Sequence, residues 1–296
     1  MNKFERLPRG VLCAAVTPMK DGGIDLPAFR ALIHRQVENH AAGIVVCGTT
    51  GEAPTLTAEE KSSLLAAALE ESDGKTMIVM GSGSSDTRTA IEATRRAKEE
   101  GADGVLVVSP YYNKGTEAGI YEHYLRIADS ADLPIILYNV PTRTGVDLSL
   151  EMYERLASHE NICGVKEASP NIEKLALLCK LSEGRLRVYT GNDSHFLPAL
   201  SLGGDGVISV VANILPGDMC RIFESFSAGE LKHAVVGHMK LIRLMKLMFA
   251  ETSPAPVKCA CELLGLCRGE MRLPMAPVTD ETAKHIRSEL CRLGLL

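Results

Sequence analysis

The chain has 296 residues, 46% of them apolar, and a formal net charge of −5. That length suits one barrel domain with a small appendage or two smaller domains, with enough apolar surface for a large core. The weak negative charge provides no broad basic field, which argues against nucleic acid or an anionic membrane as main partner and leaves a small molecule as the default.

The first residues, Met1-Asn2-Lys3-Phe4-Glu5-Arg6, carry charge where a secretory signal needs an apolar core. No later apolar run approaches the roughly 20 residues that span a bilayer, so a cytoplasmic protein is expected. The nine cysteines are odd in number, and Cys13, Cys47 and Cys163 sit inside apolar strand-like runs, as reduced, buried thiols do. Cys259, Cys261 and Cys267 lack the spacing of a zinc knuckle and a second Cys/His pair, so they read as helix packing and no metal is expected.

Short apolar runs of strand length recur along the chain, each followed by a segment with helical spacing of apolar residues. The strand candidates are Val11–Val16, Gly43–Cys47, Met77–Gly81, Gly104–Val108, Pro134–Tyr138, Cys163–Lys166, Leu186–Tyr189 and Gly206–Val210. Between them the spacing predicts helices over Leu26–His40, Ala58–Glu71, Thr87–Glu100, Glu117–Asp129, Leu150–Ser158, Ile172–Leu181, Phe196–Leu202 and Gly217–Ala228. Thr57 with Glu60 forms a capping-box pattern, and Asp86 is placed to cap the helix after it. Strands apolar on both faces, alternating strictly with helices, favour parallel pairing through right-handed crossovers, and eight such units close into a TIM (β/α)8 barrel. The rival doubly wound sheet would carry a glycine-rich nucleotide turn. Gly81-Ser82-Gly83-Ser84-Ser85 lacks the third glycine, and no GxxxxGK[ST] occurs.

After Ala228 the pattern is helical only, over Leu231–Phe249, Pro256–Leu266 and Asp280–Leu293. The expected organisation is therefore a barrel over residues 1–228 carrying the site and a helical C-terminal region over 229–296 packed on it.

In such a barrel, reacting groups sit at the C-terminal ends of strands and in the loops beyond. The second strand runs into Gly48-Thr49-Thr50-Gly51-Glu52, where glycines let amide N–H groups and hydroxyls converge on a small anion; a plain turn into the capped helix is the alternative. The fourth ends in Ser109-Pro110-Tyr111-Tyr112-Asn113-Lys114, a tyrosine pair that ordinarily serves packing. The fifth ends in Tyr138-Asn139-Val140-Pro141-Thr142-Arg143, placing a phenol and a guanidinium across a proline turn; Arg143 suits a two-point grip on a carboxylate or a surface ion pair. Lys166 lies in the apolar run Ile162–Lys166. Burial disfavours its ammonium form, which serves an enzyme that needs a neutral amine to form a Schiff base; a buried ion pair with a carboxylate such as Glu167 is the alternative. Strands five and six would be neighbours about 4.8 Å apart, so the Tyr138 phenol could face the same pocket as the amine and shuttle protons.

These residues resemble the dihydrodipicolinate synthase and N-acetylneuraminate lyase superfamily over essentially the whole chain. The likeness rests on Val16-Thr17-Pro18, Gly48–Glu52, Pro110–Asn113, Tyr138–Pro141, Gly164–Glu167, Gly191-Asn192-Asp193, Gly203–Ser209, Pro254–Lys258 and Leu273–Pro277. The resemblance implies a cytoplasmic TIM-barrel homotetramer, a dimer of dimers, working without metal or organic cofactor. The resemblance likewise implies a Schiff-base-forming carbon-oxygen lyase of lysine and diaminopimelate biosynthesis. It further implies that Lys166 forms the imine with pyruvate and that Thr50 and the backbone around Ile208 hold the pyruvate carboxylate, with Gly191 also at the substrate. Tyr138 would move protons through a relay with Thr49 and with Tyr112 of a neighbouring copy. Arg143 matches the synthase residue that receives the carboxylate of L-aspartate 4-semialdehyde, which sialic acid lyases lack.

Two departures stand out. Gly115 replaces the proline that often follows the Tyr-Tyr-Asn-Lys loop. Ala53, Ala58, Lys61, Ser85 and Thr89 occupy the positions that lysine-inhibited members use for feedback, and the added cation at Lys61 disfavours a cationic amino acid, so weak or absent inhibition by lysine is expected. The competing functions are a lyase of the same superfamily acting on a 2-keto-3-deoxy sugar acid or N-acetylneuraminate, and a ligand-binding barrel without catalysis. Arg143 weighs against the first, and a retained imine-forming amine against the second.

Overall fold

The computed structural model describes residues 3–296; of the N-terminal segment read for a secretory signal, Met1 and Asn2 lie outside the described residues. Among those described, the strands are β1 (Gly10–Ala14), β2 (Met19–Lys20), β3 (Gly23–Ile24), β4 (Gly43–Val46), β5 (Met77–Gly81), β6 (Gly104–Val108), β7 (Ile135–Asn139), β8 (Ile162–Glu167), β9 (Arg187–Thr190) and β10 (Gly206–Ser209). Eight of them close into a barrel in the order β1-β10-β9-β8-β7-β6-β5-β4, while β2 and β3 form a separate antiparallel pair. The helices are α1 (Leu26–Glu38), α2 (Ala58–Ser72), α3 (Thr87–Glu99), α4 (Glu117–Ser130), α5 (Pro141–Thr144), α6 (Leu150–Leu156), α7 (Ile172–Leu181), α8 (Phe196–Ser201), α9 (Pro216–Ser227), α10 (Leu231–Leu247), α11 (Ala255–Leu263) and α12 (Asp280–Arg292). The fold is a TIM barrel with C-terminal helices.

Local chemistry sets the helix starts. Thr57 accepts from the Glu60 N–H at 3.2 Å while Glu60 accepts from the Thr57 N–H at 2.9 Å, so the expected capping box is present. Asp86 caps α3 through the Thr89 N–H at 2.9 Å. Among the described residues no helix is long and apolar enough to cross a membrane. All nine cysteines are free thiols.

The chain packs as two compact units, one built from the described part of Met1–Gly10 with Met77–Ile208, the other from Val11–Thr76 with Ser209–Leu296. In the first, parallel ladders join β5 to β6, β6 to β7, β7 to β8, β8 to β9 and β9 to β10. Every residue of β7 and β8 is buried, as strands covered on both faces must be. The N-terminal segment seals one end: Leu7 is buried and the Tyr189 hydroxyl donates to the Pro8 carbonyl at 2.5 Å. Here the backbones of Gly10 and Gly206 touch, and a Cβ on Gly206 would fall 1.9 Å from the Gly10 carbonyl oxygen.

In the second unit, β1 pairs with β4 in parallel, with Cys13 opposite Ile44. α1 packs on α2, α10 on α9 and α12, and α11 on α12. Asn213 terminates β1: its Nδ2 donates to Ala14 O at 2.8 Å and its Oδ1 accepts from the Val16 N–H at 3.0 Å. That side chain replaces a ladder partner, which is why the strand stops at Ala14 although the apolar run continues to Val16.

The Gly10–Gly206 contact gives a direct test. Gly206→Ala cannot be relieved by a side-chain rotation, since the obstacle is backbone. Chemical denaturation should show a loss at or above the upper end of the ~1–3 kcal/mol typical of overpacking; an unchanged midpoint would mean that this approach is not tight in solution.

Candidate functional site

The first unit contributes a buried amine. Lys166 and Tyr138 are directly paired in the β7–β8 register, and they are 5% and 6% exposed. The Lys166 Nζ lies 4.4 Å from the Tyr138 ring centroid, over its face. Gly191 makes this possible, because a Cβ there would fall 2.6 Å from Ala168 Cβ and 3.0 Å from Lys166 Cε. The Lys166 side chain therefore passes a glycine backbone at its Cε and ends with its amine over a phenol ring.

The ion pair with Glu167 considered from sequence does not form. Successive strand residues point to opposite faces, and Glu167 faces away, accepting from Asn139 Nδ2 at 3.0 and 3.1 Å, the Tyr153 hydroxyl at 2.9 Å and the Ser169 N–H at 2.7 Å. Its cationic partner is Lys174 at 3.5 Å. Burial and this carboxylate hold the Tyr153 phenol well above the usual tyrosine range, so it stays a donor.

The loops beyond the strands hold the next groups. After β6, Tyr112 is 94% exposed, with φ at +70°, a left-handed conformation unusual for an aromatic residue. Its neighbour Asn113 anchors the loop by donating from Nδ2 to Ser85 O at 3.0 Å. After β7 the chain forms α5, a single turn that the sequence shows only as a proline turn; it carries exposed Arg143 and ends at Gly145 in the left-handed region. Ile208, on β10, is fully buried.

The second unit contributes a hydroxyl-bearing turn after β4. Thr49 is half-buried and Thr50 buried. The Gly51 N–H closes the turn on Gly48 O at 3.1 Å, and Thr17 Oγ1 donates to Gly51 O at 2.8 Å. Cys47, just before it, is a neutral packing group, its thiol pushed up to about 12 by burial.

Beneath this turn lies an anchor that sequence reasoning missed. Glu52, buried and left-handed at φ +56°, pairs with Lys258 Nζ at 2.6 Å, and Lys258 is 0% exposed. The same ammonium donates to Thr17 O at 2.9 Å and to Glu270 O. Glu52 also accepts from the Arg272 N–H at 3.2 Å, and the Arg272 guanidinium holds Thr55 O and Glu60, both at 2.7 Å. The available signal was a lysine inside the apolar helix run Ala255–Cys261, matched by a glutamate two positions after the hydroxyl pair. Among the described residues no group of three or more His, Cys, Asp or Glu side chains could hold a metal ion.

Lys258→Met should strand the buried Glu52 carboxylate and cost on the order of 3–5 kcal/mol by urea denaturation. Adding Glu52→Gln to it should recover most of that loss. A single variant as stable as the parent would show that the pair contributes nothing to the turn's support.

Comparison with known proteins gives a consistent picture. The model of the Dihydrodipicolinate synthetase family matches residues 7–292. The 4-hydroxy-tetrahydrodipicolinate synthase of Pelobacter propionicus is 42% identical over 288 residues, 97% of this chain and 99% of that protein. The solved dihydrodipicolinate synthase of Thermotoga maritima superimposes with a TM-score of 0.96 at 41% identity, covering 98% of this chain and 100% of that one. The chloride-inhibited enzyme of Acinetobacter baumannii, solved with pyruvate, gives 0.95 at 39%, covering 97% and 99%.

Proposed function

Because the chain belongs to the dihydrodipicolinate synthetase family, we propose that it is a 4-hydroxy-tetrahydrodipicolinate synthase, a lyase that condenses pyruvate with L-aspartate 4-semialdehyde in lysine and diaminopimelate biosynthesis. The observation that carries this reading is the buried Lys166 amine, paired with the Tyr138 ring and no carboxylate, against the backbone of Gly191. A lysine held so serves as a nucleophile rather than a counter-ion.

Lys166 Nζ attacks the ketone carbon of pyruvate and, with loss of water, forms the imine. The Tyr138 phenol donates and accepts the protons of these steps, with Thr49 and Tyr112 of a neighbouring copy completing the relay. Thr50 and the backbone at Ile208 hold the pyruvate carboxylate, and Gly191 contributes backbone at the substrate. Loss of a methyl proton gives the enamine, which attacks the aldehyde carbon of the second substrate while Arg143 grips that substrate's carboxylate. The substrate amine then attacks the imine carbon and displaces Lys166, closing the ring to 4-hydroxy-tetrahydrodipicolinate.

In this reading residues 1–228 carry the chemistry, 229–296 support it, and the enzyme works in the cytoplasm as a homotetramer, a dimer of dimers. A solvent-exposed tyrosine in a left-handed conformation supports donation of Tyr112 to a neighbouring copy.

Borohydride reduction with pyruvate, read by intact mass, tests the chemistry. The parent should gain one pyruvate-derived adduct and Lys166→Ala none, and the parent should then turn over aspartate semialdehyde. An adduct without turnover points to another aldehyde; no adduct overturns the mechanism.

Lysine should inhibit weakly or not at all. Thr89 Oγ1 is already committed to Asp86 at 2.6 Å, Ser85 O to Asn113, and Lys61 adds a cation. Inhibition by micromolar lysine in a rate titration would contradict this.

A further inference from the structure

Asn139 is the last residue of β7, completely buried, and lies on the strand face opposite to Tyr138. Its side chain is hydrogen-bonded through both its nitrogen and its oxygen. Nδ2 donates to Asp147 Oδ1 at 2.8 Å and to both oxygens of Glu167, while Oδ1 accepts from the Leu148 N–H at 3.2 Å. Lys174 completes the arrangement, its Nζ contacting Asp147 as well as Glu167. Two carboxylates are thus held by one amide and one ammonium.

The consequence is a closed loop. Residues 140–146 leave β7 at Asn139 and return, at 147–148, to the side chain of that same residue. Within the loop Thr144 Oγ1 donates to Val146 O at 2.9 Å, and the Gly145 N–H donates to Pro141 O at 2.9 Å. Arg143 is exposed on this loop, as are Thr142 and Gly145. The reach of the Arg143 guanidinium depends on where the backbone holds its Cα, and misplacement by about 1 Å can cost on the order of a hundredfold. The Lys166 amine has different support, because β8 is held on both sides by backbone ladders.

We propose that Asn139, with Lys174, is a positioning residue for the second substrate: it clamps the Arg143 loop and so sets affinity for the semialdehyde carboxylate without acting on the imine. This rests on the role given to Arg143 under the proposed function. It separates two halves of the reaction in the structure, with imine formation on the strands and aldehyde recognition on a loop closed by one amide.

The experiment uses the full-length protein with Asn139→Ala, Lys174→Met, Arg143→Ala and the Asn139→Ala/Arg143→Ala pair. Parent turnover with aspartate semialdehyde is measured first; its absence removes the substrate assignment and with it this inference. Given turnover, Asn139→Ala should raise the KM for the semialdehyde roughly tenfold or more, with the KM for pyruvate and the borohydride adduct changed less than about twofold. The double variant should be no worse than Arg143→Ala alone. Hydrogen exchange should quicken over residues 140–148 and stay unchanged over 162–167. If Asn139→Ala does not fold, Lys174→Met, which leaves Asn139 in place, should show the same split more weakly. Equal shifts in both KM values, additive losses, or unchanged exchange in the loop would overturn the clamp while leaving the synthase reading intact.

Discussion

Period-two alternation along a strand separates two buried charged residues that are adjacent in the chain, and the arrangement around them follows from that separation. Lys166 goes to one face of β8 and Glu167 to the other. Because β7 is in matching register, it presents Tyr138 to the amine and Asn139 to the carboxylate. A slip of one residue would exchange these partners and set the phenol against the wrong group, so the pairing register is itself a chemical requirement. Glu167 has its desolvation offset by Asn139, Tyr153, Ser169 and Lys174, and needs nothing from Lys166. The amine remains available because its sequence neighbour is satisfied elsewhere.

The same residue type has a different fate on α11. Lys258 is as deeply buried as Lys166, but its ammonium meets a carboxylate and two carbonyl oxygens. Three acceptors match the three donors of an ammonium, so Lys258 is a structural side chain under the Thr49–Thr50 turn. Lys166 has an aromatic face and a glycine instead, surroundings that suit a covalent nucleophile. Burial alone therefore does not distinguish a lysine suited to nucleophilic attack from a structural one; the inventory of acceptors around it does.

That distinction marks how far the sequence could be read. The eight barrel strands were legible because burial on both faces removes polar alternation and leaves apolar runs, and the helix starts at Thr57 and Asp86 were legible because caps are local chemistry. Strands β2 and β3, two residues each, and the single turn α5 are too short to leave a period. The end of β1 depends on Asn213, 199 residues away, and Lys258 meets Glu52 across 206. No local pattern encodes such pairings. At the site, Lys166 and Tyr138 could be placed together because they lie on consecutive strands. Arg143 was recognisable by type, but Asn139, which closes its loop, reads in sequence as one more polar residue at a strand end. The left-handed backbone of Tyr112 likewise has no compositional signature, since tyrosine is not a residue that favours it.

The division between strand and loop explains how one scaffold can serve several reactions. Imine chemistry needs an amine whose position tolerates little error, and ladders on both sides of β8 with a glycine at 191 supply that rigidity. Under the proposed function, recognition of the second substrate falls to a charged group on a loop, the element that accommodates change without disturbing the barrel. A loop left free would spend binding energy on ordering itself each time substrate arrives. Closing it with one buried amide reconciles the two demands: the hydrogen bonds at 139, 147 and 148 hold the path of residues 140–146. In the proposed reading substrate choice then depends on the loop, and imine formation on strand residues that the loop does not hold.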